Sequence, residues 1–177
     1  MGGVTFCHFS LIETSPWINN PLYLSTDACS TGAGGFFNGQ YFHTPFPCSI
    51  LQCFRHNINI LELLSIMVAL NVWGASLRGQ HLLIQCDNEN SVFAVNSGHS
   101  RSAGIQLCLG DIWFLSAFGD FEISAVHIPS RTNTIADHLS RWHLSPSHQE
   151  RFFNFTTGLN TTPIACPPQL FDFKISF

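Results

Sequence analysis

Four carboxylates stand out in a chain of 177 residues of which only 10% are charged: Asp27, Glu62, Asp87 and Asp137. Asp27 and Asp87 each close a strand-like run, Glu62 lies near the start of the most apolar stretch, and Asp137 opens the last helical segment. Ligands of open sheets bind outside the carboxyl ends of the strands, where two of these acids fall. Each acid also has an ordinary structural use. Asp27 precedes CSTGAGG and can form a turn, while Asn59 with Glu62 three residues later fits a capping box. Asp87-Asn88 can cap a helix, and Asp137 can be a solvated helix residue. Brought together, the four would repel by about 4 kcal/mol per close pair at an effective dielectric of 20. Such a cluster persists only if it is protonated or neutralised by cations. Oxygen donors with open positions suit Mg2+, with Mn2+ as a substitute. Two ions about 3.5–4 Å apart can activate a water and steady the leaving oxygen of a phosphodiester displacement.

The elements that would carry these acids follow from the hydrophobic pattern. Leu22 to Asp27 alternates as a strand, and STGAGG supplies the turn after it. GGFF and QYFHTPF read as two aromatic strands joined at Asn38-Gly39, a strong hairpin signal. Residues 45–56, with Pro45 and Pro47, read as a loop. Asn59 to Leu77 is long enough for about five helical turns and so apolar that it must be buried on most sides. HLLIQCD is a strand ending on Asp87, followed by a short helix from Asn88 to Asn96. Ile105, Leu109, Ile112 and Leu115 have helical spacing within 105–118, residues 121–128 form a strand, and Thr134 to Trp142 makes the last helix. The order β-β-β-α-β-α-α-β-α predicts an α/β fold, a mixed sheet with helices packed on it. Residues 1–20 read as a connector, 21–143 as the domain, and 144–177 as an irregular tail or linker.

Composition narrows the function classes. Hydrophobic residues make up 45% of the chain and Phe alone contributes 17, which indicates a packed core. A net charge of -4, with Lys174 the single lysine, argues against a self-sufficient nucleic-acid binder. Seven Cys in no regular framework suit a reducing compartment, and Cys48 with Cys53 lacks the second pair of a zinc site. No charged segment followed by an apolar one marks a signal peptide. The apolar run 58–73, interrupted by Asn59, Glu62 and Ser65, reads as too short for a membrane span. The expectation is an intracellular monomer, in cytoplasm or nucleus, with no membrane partner.

Four stretches carry a resemblance to a known family: STDACSTGAGG (25–35), NINILELLSIMVALNVWG (57–74), CDNENSVFAVNSG (86–98) and HIPSRTNTIADHLSRW (127–142). Together they span roughly residues 20–145 and resemble the ribonuclease H domain of a reverse transcriptase, most of all those of DIRS-like retrotransposons. The resemblance implies a ribonuclease H-like fold with a five-stranded sheet of order 3-2-1-4-5. It implies Asp27, Glu62, Asp87 and Asp137 as catalytic acids that hold two Mg2+ ions. Asp27 would bridge the ions, with Asp87 near both, Glu62 on the leaving-group side and Asp137 on the water side. The implied reaction is endonucleolytic hydrolysis of the RNA strand of an RNA–DNA hybrid, with an upstream polymerase domain as partner. Backbone groups at Ser30 and Gly32, together with Asn88, Asn90 and Arg131, are the expected donors to sugar and phosphate. RNA would be told from DNA through 2′-hydroxyl contacts.

Two departures from the family accompany these expectations. The loop PSRTNT carries Arg131 about where many members have a histidine, and His127 falls earlier, on the strand, where it reads as a packed or partly buried residue and not as a substitute. There is also no Lys-rich handle, so hybrid would be held weakly without a neighbouring domain. A catalytically silent remnant of such an element and a DNA-directed nuclease of similar fold are the competing readings.

Overall fold

The hairpin at Asn38-Gly39 sets the sheet. Both residues have positive φ, 48° and 76°, the pair of values a tight two-residue hairpin needs. In the computed structural model, which describes residues 21–171, that turn joins β2 (Gly32–Phe37) to β3 (Gln40–Pro45), with Phe37 opposite Gln40. Strand β1 (Leu22–Ala28) pairs antiparallel with β2 on one side and parallel with β4 (His81–Cys86) on the other. Strand β5 (Glu122–His127) continues in parallel beyond β4. The five strands lie in the expected order, β5-β4-β1-β2-β3, and a sixth extends the sheet. It is β6 (Thr162–Pro163), which adds to the β3 edge through Thr162 N–H to Gly39 O and Ile164 N–H to Tyr41 O. A proline is tolerated there because an edge strand has one unpaired side.

Helices cover both faces. Ala33 and Phe37 of β2 join the large core around α2 (Ile58–Trp73), while Gly34 lies against α5 (Thr134–Ser140) on the opposite face. Twelve of the sixteen residues of α2 are buried, because it is enclosed by β1, β2 and α4 (Ala103–Gly119). With its 3-10 extension the segment Ile58–Ser76 is long and apolar enough to cross a membrane, which corrects the reading of it as too short. Here its apolar surface is the centre of the fold. The start of α2 corrects a second expectation. The N-cap is Asn57, whose side chain accepts from Ile60 N–H, so Asn59 and Glu62 form no capping box. Helix formation begins at Ile58, which leaves Glu62 beyond the first turn, free to point elsewhere.

Two further segments differ from their sequence readings. Residues 48–54, expected in a loop, form α1 (Cys48–Phe54), since Pro47 immediately precedes the first turn, where its missing N–H costs nothing. The stretch after residue 143, expected to be irregular, contains α6 (Pro146–Phe155) as well as β6. Its start is a cap followed by proline: Ser145 accepts from Ser147 N–H and Pro146 takes the first helical position. Phe152 of α6 is fully buried against Tyr41 and Trp142, ring centroids 4.5 and 5.6 Å away. Helix α3 (Glu89–Ser97) follows β4 much as expected. The connector assigned to 1–20 lies outside the described residues.

If α6 is integral to the fold, Phe152→Ala leaves a cavity between α6, β3 and α5. The expected loss is about 3 kcal/mol of unfolding free energy, read by chemical denaturation; a change within about 0.5 kcal/mol would make α6 an appendage.

Candidate active site

Asp27 is the penultimate residue of β1, next to β4 at the centre of the sheet, and is 3% exposed. Ser140 at the end of α5 donates its hydroxyl to Asp27 Oδ2 at 2.5 Å. Burial pushes the Asp27 carboxyl up to about 6, assisted by the Asp87 charge and opposed by the Ser140 hydrogen bond and the Arg141 guanidinium. Glu62, carried in by α2, is 2% exposed. Its affinity for a proton is raised well above the usual carboxylate range, first by burial and then by the charges of Asp27 and Asp87. The backbone N–H of Ala28 and the thiol of Cys86, 3.8 Å from Oε2, donate to it and offset part of that rise. One turn along α2, Ser65 donates to Asp27 O at 2.9 Å and Gly34 O at 3.2 Å. That hydroxyl pins the helix, and Glu62 with it, to β1 and β2. Asp87 follows the last residue of β4 and is half-buried; one of its oxygens, a Glu62 oxygen and Cys86 Sγ all lie within 4.8 Å of one another.

The fourth expected acid is arranged differently. Asp137 sits in α5, where its carboxylate is ion-paired with Arg141 one turn later and lies 3.6 Å from His138 Nδ1. Arg141 acts on Asp27 as well, so Asp137 adjoins the buried acids through a shared cation. The structure therefore brings Asp27, Glu62 and Asp87 together and sets Asp137 beside them on a salt bridge. Helix α5 can approach this closely because Gly34 has no Cβ: one there would strike Leu139 and the backbone of Ser140.

The expected substrate contacts divide. Ser30 is exposed at the β1–β2 turn, and Arg131 is exposed in the turn before α5. Asn88 caps α3: its side chain accepts from Ser91 N–H and donates to Asn59 Oδ1, so both ends are engaged. Asn90 lines an open groove of about 550 Å³ with Asn59, Phe93, His99 and Arg101. Gly32 is buried beneath Ser140 O and the His143 ring, so close packing is what requires glycine there, and it does not stand open to a ligand. His127 has its side chain 39% exposed and 3.9 Å from Glu89. Ser140, Arg141 and Cys86 were missed as site residues. The first two stand three and four positions after Asp137, the spacing that places side chains on one helix face. Cys86 directly precedes Asp87.

Comparison with solved structures places the fold. The RNase H1 of the halophilic archaeon Halobacterium salinarum superposes with a TM-score of 0.53, over 71% of this chain and 98% of that one, at 15% identity. The fold is ribonuclease H-like. An RNase H1 recovered from compost (TM-score 0.49, 17% identity, 71% and 99% covered) is also similar. So is the N-terminal RNase H domain of a Mycobacterium tuberculosis protein (TM-score 0.49, 14% identity, 73% and 99% covered). No protein-family model and no curated protein matches the sequence.

On this ribonuclease H-like fold, the donor set fits a hard divalent cation. Three carboxylates converge, two of them buried, and among the described residues no Lys, Arg or His pairs with Glu62 or Asp87. Oxygen donors with uncompensated negative charge are what Mg2+ and Mn2+ bind.

The raised carboxyls fix a pH dependence for the metal-free protein. The folded state holds the Asp27 proton more tightly than the unfolded chain, so that stability is full below about 4 and is lost as pH rises through about 6. Asp27→Asn removes the penalty. It is expected to stabilise the chelated protein by about 1–3 kcal/mol at pH 7 and by little at pH 4, measured by denaturant titration. A destabilised variant at pH 7 would contradict this.

Proposed function

We propose that this chain is a divalent-metal-dependent endonuclease that hydrolyses the RNA strand of RNA–DNA hybrids, the ribonuclease H part of a retroelement reverse transcriptase. The observation that carries the reading is the convergence of Asp27, Glu62 and Asp87 at the carboxyl ends of β1 and β4 on this fold. Those three acids and Asp137 would hold the cations, two Mg2+ with Mn2+ as a substitute. Bound there, divalent cations supply Lewis-acid activation of water and charge stabilisation at the leaving 3′-oxygen.

The chain's own residues do the positioning. Ser140 occupies Asp27 Oδ2 and thereby orients the carboxylate. Ala28 N–H and the Cys86 thiol hold Glu62 in place. Arg141 keeps Asp137 from adding a further unscreened charge to the buried acids. Ser30, Asn90 and Arg131 are exposed polar groups available to sugar and phosphate oxygens, with Asn88 contributing from the start of α3. Six Arg and one Lys neutralise few phosphates, which supports a division of labour in which an upstream polymerase domain holds the hybrid inside the cell. A catalytically silent remnant is the second reading, and the Asp137–Arg141 pair favours it by engaging the fourth acid.

An RNA–DNA hybrid, a DNA duplex and single-stranded RNA incubated with Mg2+ separate the readings. The expected result is cleavage of hybrid RNA alone, leaving 5′-phosphates, with Asp87→Asn reducing it to the level seen with chelator. Cleavage of DNA would assign a DNA-directed nuclease. No cleavage, even with a polymerase domain fused upstream, would leave the remnant.

A further inference from the structure

We propose that Cys86 makes this centre a binding site for a thiophilic divalent cation such as Zn2+, held by Cys86 Sγ together with Glu62 and Asp87, in competition with the hard cations of catalysis. The inference rests on the reading of Glu62 and Asp87 as cation ligands and extends it to a donor that a hard ion does not use.

The geometry is that of a three-donor site. Cys86 Sγ lies 3.8 Å from Glu62 Oε2, and the two share a cluster with Asp87 in which all donor atoms are within 4.8 Å. Sulfur and oxygen bound to one tetrahedral zinc, at about 2.3 and 2.1 Å, stand about 3.6 Å apart. Closing the cluster therefore needs only small side-chain shifts. Two carboxylates and a thiolate leave a fourth position open, the arrangement of an exchangeable rather than a purely structural zinc.

Besides Glu62, the sulfur meets only the backbone of Asn88, whose N–H donates to it at 3.4 Å and whose O lies 4.0 Å away, contacts that leave its other lone pair to a metal. A thiol is a weak hydrogen-bond donor, and this one is aimed at a buried carboxylate that already accepts from Ala28 N–H. Cys29, the other buried thiol near the site, is engaged elsewhere, donating to Ser140 O at 3.2 Å with Thr31 Oγ1 beside it. Binding at Cys86 is a simple exchange: the S–H bond breaks, an S–metal bond forms, and the thiol proton leaves to solvent together with any proton held by Glu62. No oxidation occurs. Because Glu62 and Asp87 are shared, a thiophilic ion at Cys86 and the hard ions cannot occupy the centre together.

Cd2+ is the probe, read by its ultraviolet thiolate-to-metal charge-transfer band in chelator-treated protein. The parent for the titration carries Cys7→Ser, Cys48→Ser and Cys53→Ser, which removes the two exposed thiols and the one outside the described residues. The expected result is a saturable band with release of at least one proton per ion, suppressed by excess Mn2+. Glu62→Gln and Asp87→Asn should each weaken Cd2+ binding by about tenfold or more with Cys86 intact. Cys86→Ser and Cys86→Ala should both abolish the band while far-ultraviolet circular dichroism shows a folded chain. A band of parental size in the folded Cys86 variants, or one that neither carboxylate variant weakens, would overturn the inference. Mg2+-dependent hybrid cleavage is scored separately. Cleavage without the band sinks this inference alone, and the band without cleavage sinks the hydrolase reading alone.

Discussion

The structure depends on an electrostatic conflict held in place by an apolar helix. Asp27 and Glu62 are taken almost wholly out of water, and the charge of Asp27 adds to the cost of ionising Glu62. Burial of an unpaired carboxylate is among the more expensive things a fold can do. Here the cost is borne by the long buried face of α2, whose residues Leu61, Leu63, Leu64, Ile66 and Met67 are fully enclosed. Burial of such side chains stabilises by roughly 1.5–3 kcal/mol each, enough to carry one charged residue into the sheet. Ser65, in the same helix, fixes the depth of insertion through its bonds to Asp27 O and Gly34 O. The carboxylates are thus positioned by packing and left with a charge that a cation would relieve.

The opposite face completes the arrangement. Helix α5 brings Ser140 to Asp27 and Arg141 to both Asp27 and Asp137, and Gly34 is what lets it come near enough. Helix α6 in turn backs α5 through Phe152. Residues far along the chain therefore set the geometry of an acid near its start. The whole assembly has few cations to spare, which is consistent with a centre whose compensation comes from a ligand.

Much of this was legible in the sequence, for definite physical reasons. Period-two alternation and the Asn-Gly pair located the strands because both signals are local, and the order of elements indicated a mixed sheet, while the strand order came from the family resemblance. The three converging acids were legible because each sits at the end of a strand or in a helix too apolar to tolerate a charge without cause. What escaped were features decided by tertiary contact. The capping box at Asn59 failed because the helix starts two residues sooner than that cap requires, at Ile58, and Asn88 captures Asn59 instead. Helix α6 was hidden because it is short and mostly polar, with Phe152 its single buried anchor. Gly32 looked like a phosphate-binding turn and is a packing contact, a distinction visible only once His143 is placed against it.

A cation bound by the buried acids would stabilise the folded chain. The most direct measurement is the thermal midpoint of the chain at pH 7 as Mg2+ is raised from zero. A ligand that binds only the folded state stabilises it by about 2.7 kcal/mol at a hundredfold excess over its dissociation constant. The account predicts a midpoint that climbs steadily with Mg2+ concentration and a climb that disappears in Glu62→Gln. A midpoint indifferent to Mg2+, or one that rises equally in the variant, would contradict it.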